Sequence, residues 1–81
     1  MDGNIVPLHQ LPIGQSGLVR ELLMSSRQRR RMLDLGLIEA TRVSALLKSP
    51  AGDPVAYQIR GAVIALRADE ARQIMIEVCS E

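Results

Sequence analysis

Arg42-Val43-Ser44-Ala45-Leu46-Leu47-Lys48, then Ser49-Pro50-Ala51-Gly52-Asp53-Pro54, then Val55-Ala56-Tyr57-Gln58-Ile59-Arg60 is the stretch that decides the fold. The first seven residues run with a period of two. Val43, Ala45 and Leu47 fall to one side and Arg42, Ser44 and Lys48 to the other, as in a strand with one buried face. The middle six hold two prolines, a glycine and an aspartate, residues that reverse a chain. The last six alternate again, with Val55, Tyr57 and Ile59 opposed to Gln58 and Arg60. Two alternating runs around a turn predict a β-hairpin.

Downstream, Gly61 permits a sharp reversal before a third β-rich run at 62–67. A short helical turn follows at 68–73, with Asp69 and Glu70 in its first turn, where the helix dipole favours acids. The chain then closes on a strand at 74–78, Ile74, Ile76 and Val78 alternating with Met75, Glu77 and Cys79. Upstream, Ser25 and Ser26 carry hydroxyls suited to a helix start. The residues after them are tolerable or good helix formers, and Gly36 supplies a stop. A helix over 26–35 is predicted. The glycine-bounded run 18–24 reads as a strand, and 5–12, with its two prolines and His9, as an extended edge segment. Five short strands with one helix are best buried by curling the sheet on itself. The expectation is a mainly β, SH3-like barrel, with one helix between the early strands and a short helical turn before the last. Residues 1–81 are taken as one domain. Leu33, Leu35, Leu37 and Tyr57 are core candidates first, the second reading being an apolar groove between helix and barrel that accepts a partner segment; Met24, Met32 and Met75 are gap-fillers.

Composition narrows the function. Of the 81 residues 47% are apolar, yet Tyr57 is the only aromatic. Aliphatic side chains must therefore fill a core that can bury only about 60% of the unfolded surface. One ring cannot make a base-stacking platform, and a net charge of +1 leaves no global footprint for nucleic acid. Cys79 is the only cysteine, so no intrachain disulfide can form and a reducing, cytoplasmic location fits. No basic leader precedes a long apolar run, and no stretch approaches the roughly 18 apolar residues of a membrane span. One histidine, one cysteine, no phosphate loop and no paired carboxylates argue against an enzyme.

The strongest local feature is the charge run 27–31. Arg27, Arg30, Arg31 and Asp34 share a helical face, where Arg30 and Asp34 are spaced to form a surface pair. The plain reading is a solvated helix face. The functional reading assigns Arg27, Arg29, Arg30 and Arg31 to docking of an acidic surface or anionic headgroups, because arginine forks bind carboxylates and phosphates at two points. Gly52 and Asp53 in the turn are the second candidate contact, against a plain reading as chain reversal.

Met32-Leu33-Asp34-Leu35-Gly36-Leu37, the turn 49–57, Ile59-Arg60-Gly61, Ile64-Ala65-Leu66-Arg67, Glu70-Ala71 and Ile74, taken in that order and spacing, resemble the ferrous iron transport protein A (FeoA) family. One departure is Glu39-Ala40, where that family usually has proline-glycine; a looser turn is expected there. The resemblance implies an SH3-like barrel, a cytoplasmic location, and an accessory or regulatory role beside ferrous iron transport protein B. The implied partner surface is that protein's cytoplasmic GTP-binding region, so the chain would be peripheral to the membrane through its partner alone. Weak self-association through an exposed sheet edge is a further expectation. The alternative is a small protein that binds or senses Fe²⁺ or another divalent transition metal. Its weak ligand candidates are His9, Glu77 and Cys79, of suitable type but brought together only if the fold joins the chain ends.

Overall fold

The predicted hairpin is present in the computed structural model, which describes residues 4–79. Strand β3 (Arg42–Lys48) pairs antiparallel with β4 (Val55–Ile59), Val43 opposite Ile59 and Ala45 opposite Tyr57. The next pair is Leu47 with Ala56, so Leu46 is an extra residue, a β-bulge. That one-residue slip moves the end of β3 to the other face. Val43 and Ala45 are buried, but Leu47 is 61% exposed, against its expected place in the core.

The other strands are β1 (Ile5–Pro7), β2 (Ser16–Leu22), β5 (Ala62–Leu66) and β6 (Ile74–Val78). All six form one antiparallel sheet in the order β1-β6-β2-β3-β4-β5. The architecture is SH3-like, but among the described residues the sheet is not hydrogen-bonded shut: β1 and β5 each pair on one side only. Pro7 is tolerated because β1 is an edge. The extended opening segment ends there. Leu8–Gln10 form a 3-10 turn that puts Leu8 at 0% exposure, with Leu11 buried after it.

Helix α1 (Ser26–Asp34) starts as predicted, although the Ser25 hydroxyl makes no capping bond. The Ser25 carbonyl accepts the Arg29 N–H at 2.7 Å, the first bond of the helix ladder. Met32 is the buried residue of α1. Leu33, about 100° further round the helix, is 42% exposed and not a core residue. Gly36 ends the helix at φ +103°. Its N–H bonds to the Leu33 carbonyl and that of Leu37 to Met32, both at 3.0 Å, the paired bonds of a Schellman cap. The cap delivers Leu37, 0% exposed, into the core with Val19, Tyr57, Ile59, Leu66, Ile74 and Ile76. Burial, and after it the charge of Asp53, pushes the Tyr57 phenol above its ordinary value of 10.0.

The Glu39-Ala40 turn is not loose. Thr41 N–H bonds back to the Ile38 carbonyl at 3.0 Å, and Ala40 takes φ +72° at the third position. This is the type II pattern, which asks for glycine at that position and favours proline before it. Ala40 holds the conformation at a cost of about 1 kcal/mol for a residue with a Cβ. Ala40→Gly is accordingly expected to stabilise the protein by about 0.5–1 kcal/mol, raising the thermal midpoint by several degrees. A lower midpoint in a melting experiment would contradict the assignment of strain.

A second left-handed pair joins β4 to β5. Arg60 at φ +51° and Gly61 at φ +85° make a two-residue reversal between Ile59 and Ala62, the type I′ geometry of tight hairpins. Arginine is an unusual first residue there, since asparagine or glycine adopts the conformation more readily. After β5, helix α2 (Ala68–Ala71) is fastened at its start by Asp53, whose Oδ1 accepts the Ala68 N–H at 2.8 Å.

Candidate docking groove

The four arginines of α1 fall into two pairs. Arg29 Nη2 donates to the Leu22 carbonyl at 2.7 Å, tying the helix to the end of β2. Arg31 Nη1 meets Glu70 Oε2 at 2.5 Å, tying α1 to α2. The hydrogen bond from Arg31, then that from the Arg67 N–H, holds the Glu70 carboxyl below its ordinary range, with burial opposing. Arg27 and Arg30 are exposed and form no ion pair among the described residues. The expected Arg30–Asp34 pair is thus not made: the acid that engages this helix is Glu70, on another element.

The same helix face borders two depressions. One, of about 510 Å³, runs between Met24, Ser25 and Ser26 on one side and Arg29, Arg30, Leu33 and Asp34 on the other. The second, of about 260 Å³, continues past Arg29 and Leu33 toward Val19, Arg20, Leu22 and Glu39. Leu33 and Arg29 line both. Leu23, 53% exposed, adds apolar surface at the end of β2. The result is a shallow groove lined by Leu33, with the uncommitted Arg30 at its border and the second uncommitted arginine, Arg27, one turn earlier on α1 and outside the lining. Arg30 offers a carboxylate contact beside the apolar surface of Leu33, while Asp34, Glu21 and Glu39 also stand in the lining.

Gly52 takes φ +92° with open space around it. Asp53 is occupied internally by the Ala68 N–H and by Arg67, whose Nη1 lies 3.9 Å from Oδ2. Sequence reasoning could not distinguish the unpaired arginines from the bracing ones, because the partners of Arg29 and Arg31 lie on β2 and α2. Leu33, first taken as core, instead lines the depressions beside the helix, in keeping with the apolar groove that the sequence reading held as its second possibility.

The metal-ligand candidates diverge. The β1–β6 register sets Ile5 opposite Glu77 and Pro7 opposite Met75, so His9 continues away from Glu77 and Cys79. Glu77 pairs with Arg20 Nε at 3.1 Å. Among the described residues no three His, Cys, Asp or Glu side chains converge. No helix among the described residues is long and apolar enough to cross a membrane.

A small SH3-like module with a grooved helix face is the class of protein that this geometry defines. The family described as FeoA domain matches residues 6–78, and the chain belongs to the FeoA family, which is linked to ferrous iron transport. Solved structures agree. A FeoA protein of Chlorobium tepidum is 28% identical with a TM-score of 0.87, covering 93% of this chain and 71% of its own. A FeoA-like protein of Clostridium acetobutylicum is 32% identical with a TM-score of 0.86, covering 100% and 92%. The Stenotrophomonas maltophilia FeoA, 28% identical with a TM-score of 0.74 over 86% and 87%, is described as a prokaryotic SH3 domain protein complexed with zinc. No curated protein matches.

Proposed function

We propose that this chain is a non-enzymatic accessory and regulatory protein of ferrous iron uptake that acts in the cytoplasm by docking a segment of ferrous iron transport protein B. The observation that carries the reading is the pair of uncommitted arginines, Arg27 and Arg30, on the helix whose exposed Leu33 floors the groove. Arg29 and Arg31 contribute by holding the helix in place. The open Gly52 turn is the second contact, with Asp53 setting its shape through α2. The partner segment would present carboxylates around one apolar side chain. The metal-sensing alternative has less support, because His9, Glu77 and Cys79 are not gathered.

The test is a titration of isotope-labelled protein with the soluble GTP-binding domain of transport protein B. Amide shifts are expected along α1 and at Gly52. Arg27→Glu with Arg30→Glu should weaken binding at least about tenfold, roughly 1.4 kcal/mol, with the melting temperature unchanged because both side chains are exposed. Binding that survives the double reversal would remove the groove from the reading.

A further inference from the structure

A second basic cluster lies on the outer face of the β3–β4 hairpin, past the C-terminal end of α1. Arg42 and Arg60 each stand one residue beyond the Val43–Ile59 pair, one on either chain. Both line a depression of about 380 Å³ with Thr41, Ser44, Gln58 and Gly61. Like charges facing each other across a strand pair repel. Neither arginine has a carboxylate partner among the described residues, and no acid lines the depression.

Arg60 is also placed by the backbone. It occupies a left-handed position that asparagine or glycine would fill more readily, and its stem lies where a Cβ on Gly36 would come within 3.0 Å of Cδ. The start of the side chain thus runs beside the end of the helix. The remaining lining groups are rich in donors: the Thr41 and Ser44 hydroxyls and the Gln58 amide. Ser44 and Ser16 hydroxyls are 2.7 Å apart; when Ser16 donates, the Ser44 proton is free to point outward.

We infer that Arg42 and Arg60, with Ser44 and Gln58, form a binding site for a phosphoryl group. Two guanidinium forks plus hydroxyl and amide donors exceed what the two oxygens of a carboxylate can accept. Three terminal oxygens carrying nearly two charges match them. The source is either free phosphate or a phosphate monoester, which share this chemistry.

The experiment titrates the labelled full chain with inorganic phosphate, glycerol phosphate and glutamate, each at constant ionic strength balanced with chloride. Saturable shifts are expected at the amides of Arg42, Ser44, Gln58 and Gly61, with a Kd on the order of 1 mM. Arg60→Asn keeps the left-handed turn and Arg42→Gln keeps the strand, so both variants fold; each should bind phosphate at least about tenfold more weakly. Tighter binding of glycerol phosphate assigns an ester as ligand, and equal or weaker binding assigns free phosphate. Three results would overturn the site: shifts that never saturate, variants that respond like the parent, or glutamate binding as well as phosphate.

Discussion

Leu8→Ala is expected to lower the unfolding free energy by about 3 kcal/mol, within the 2–5 kcal/mol that deletion of a buried leucine side chain commonly costs. Leu8 has no exposed surface and belongs to the same core cluster as Ile74 and Ile76 of β6. It sits in a 3-10 turn bounded by Pro7 and Leu11, so the backbone has little freedom to collapse into the space left behind. A domain of this size holds roughly 4–12 kcal/mol in all, and the loss should be plain in a urea titration as a lower midpoint at unchanged slope. Leu47→Ala is the companion measurement. Leu47 looks like a core residue by sequence alternation but lies outside the bulge, and its truncation should stay within about 0.5 kcal/mol. Equal costs at the two positions would mean that the bulge at Leu46 is misplaced.

Gly17→Ala should cost about 2 kcal/mol, in the range for overpacking. Gly17 is flanked by Val78 on β6 and Val43 on β3. A Cβ built there would come within 2.7 Å of Ile76 Cδ1 and 3.0 Å of the Glu77 carbonyl oxygen. The methyl contact can be relieved only by moving a side chain that has no exposed surface, and the carbonyl belongs to the sheet ladder. Ile76→Val removes the offending methyl and by itself should cost about 0.5–1.5 kcal/mol. In combination with Gly17→Ala the loss should be smaller than the sum by about 1 kcal/mol, the sign of two residues competing for one space. Strict additivity in the denaturant midpoints would show that the close approach is not what makes glycine necessary.

The sheet was largely legible in the chain because most of its strands obey a period of two and most of its reversals carry glycine or proline. Tyr57, Ile59, Ile74 and Ile76 face inward as alternation predicts. The failures have physical causes that no short window contains. Leu47 was misread because a bulge is a property of two strands together. Leu33 was misread because one helix against a small sheet buries a narrow stripe, here Met32, and leaves its neighbours out. Leu8 and Leu11 were hidden behind prolines that signalled only an edge. The candidate site was half legible: the arginine run was visible, but which guanidinium groups are free depends on Leu22 and Glu70, seven residues before Arg29 and 39 residues after Arg31. Ala40 is the reverse case, a left-handed turn kept without the residue that usually permits it.

The single aromatic ring has an optical consequence. With no tryptophan or phenylalanine, the near-ultraviolet spectrum is that of one phenol, and this phenol stands in the centre of the core between Ala45 on β3 and Ile64 on β5. Its circular dichroism therefore reports the packing of one known place, with no second chromophore to average against. Groove occupants that leave the core alone would be silent in this signal, and anything that loosens the hairpin would dim it.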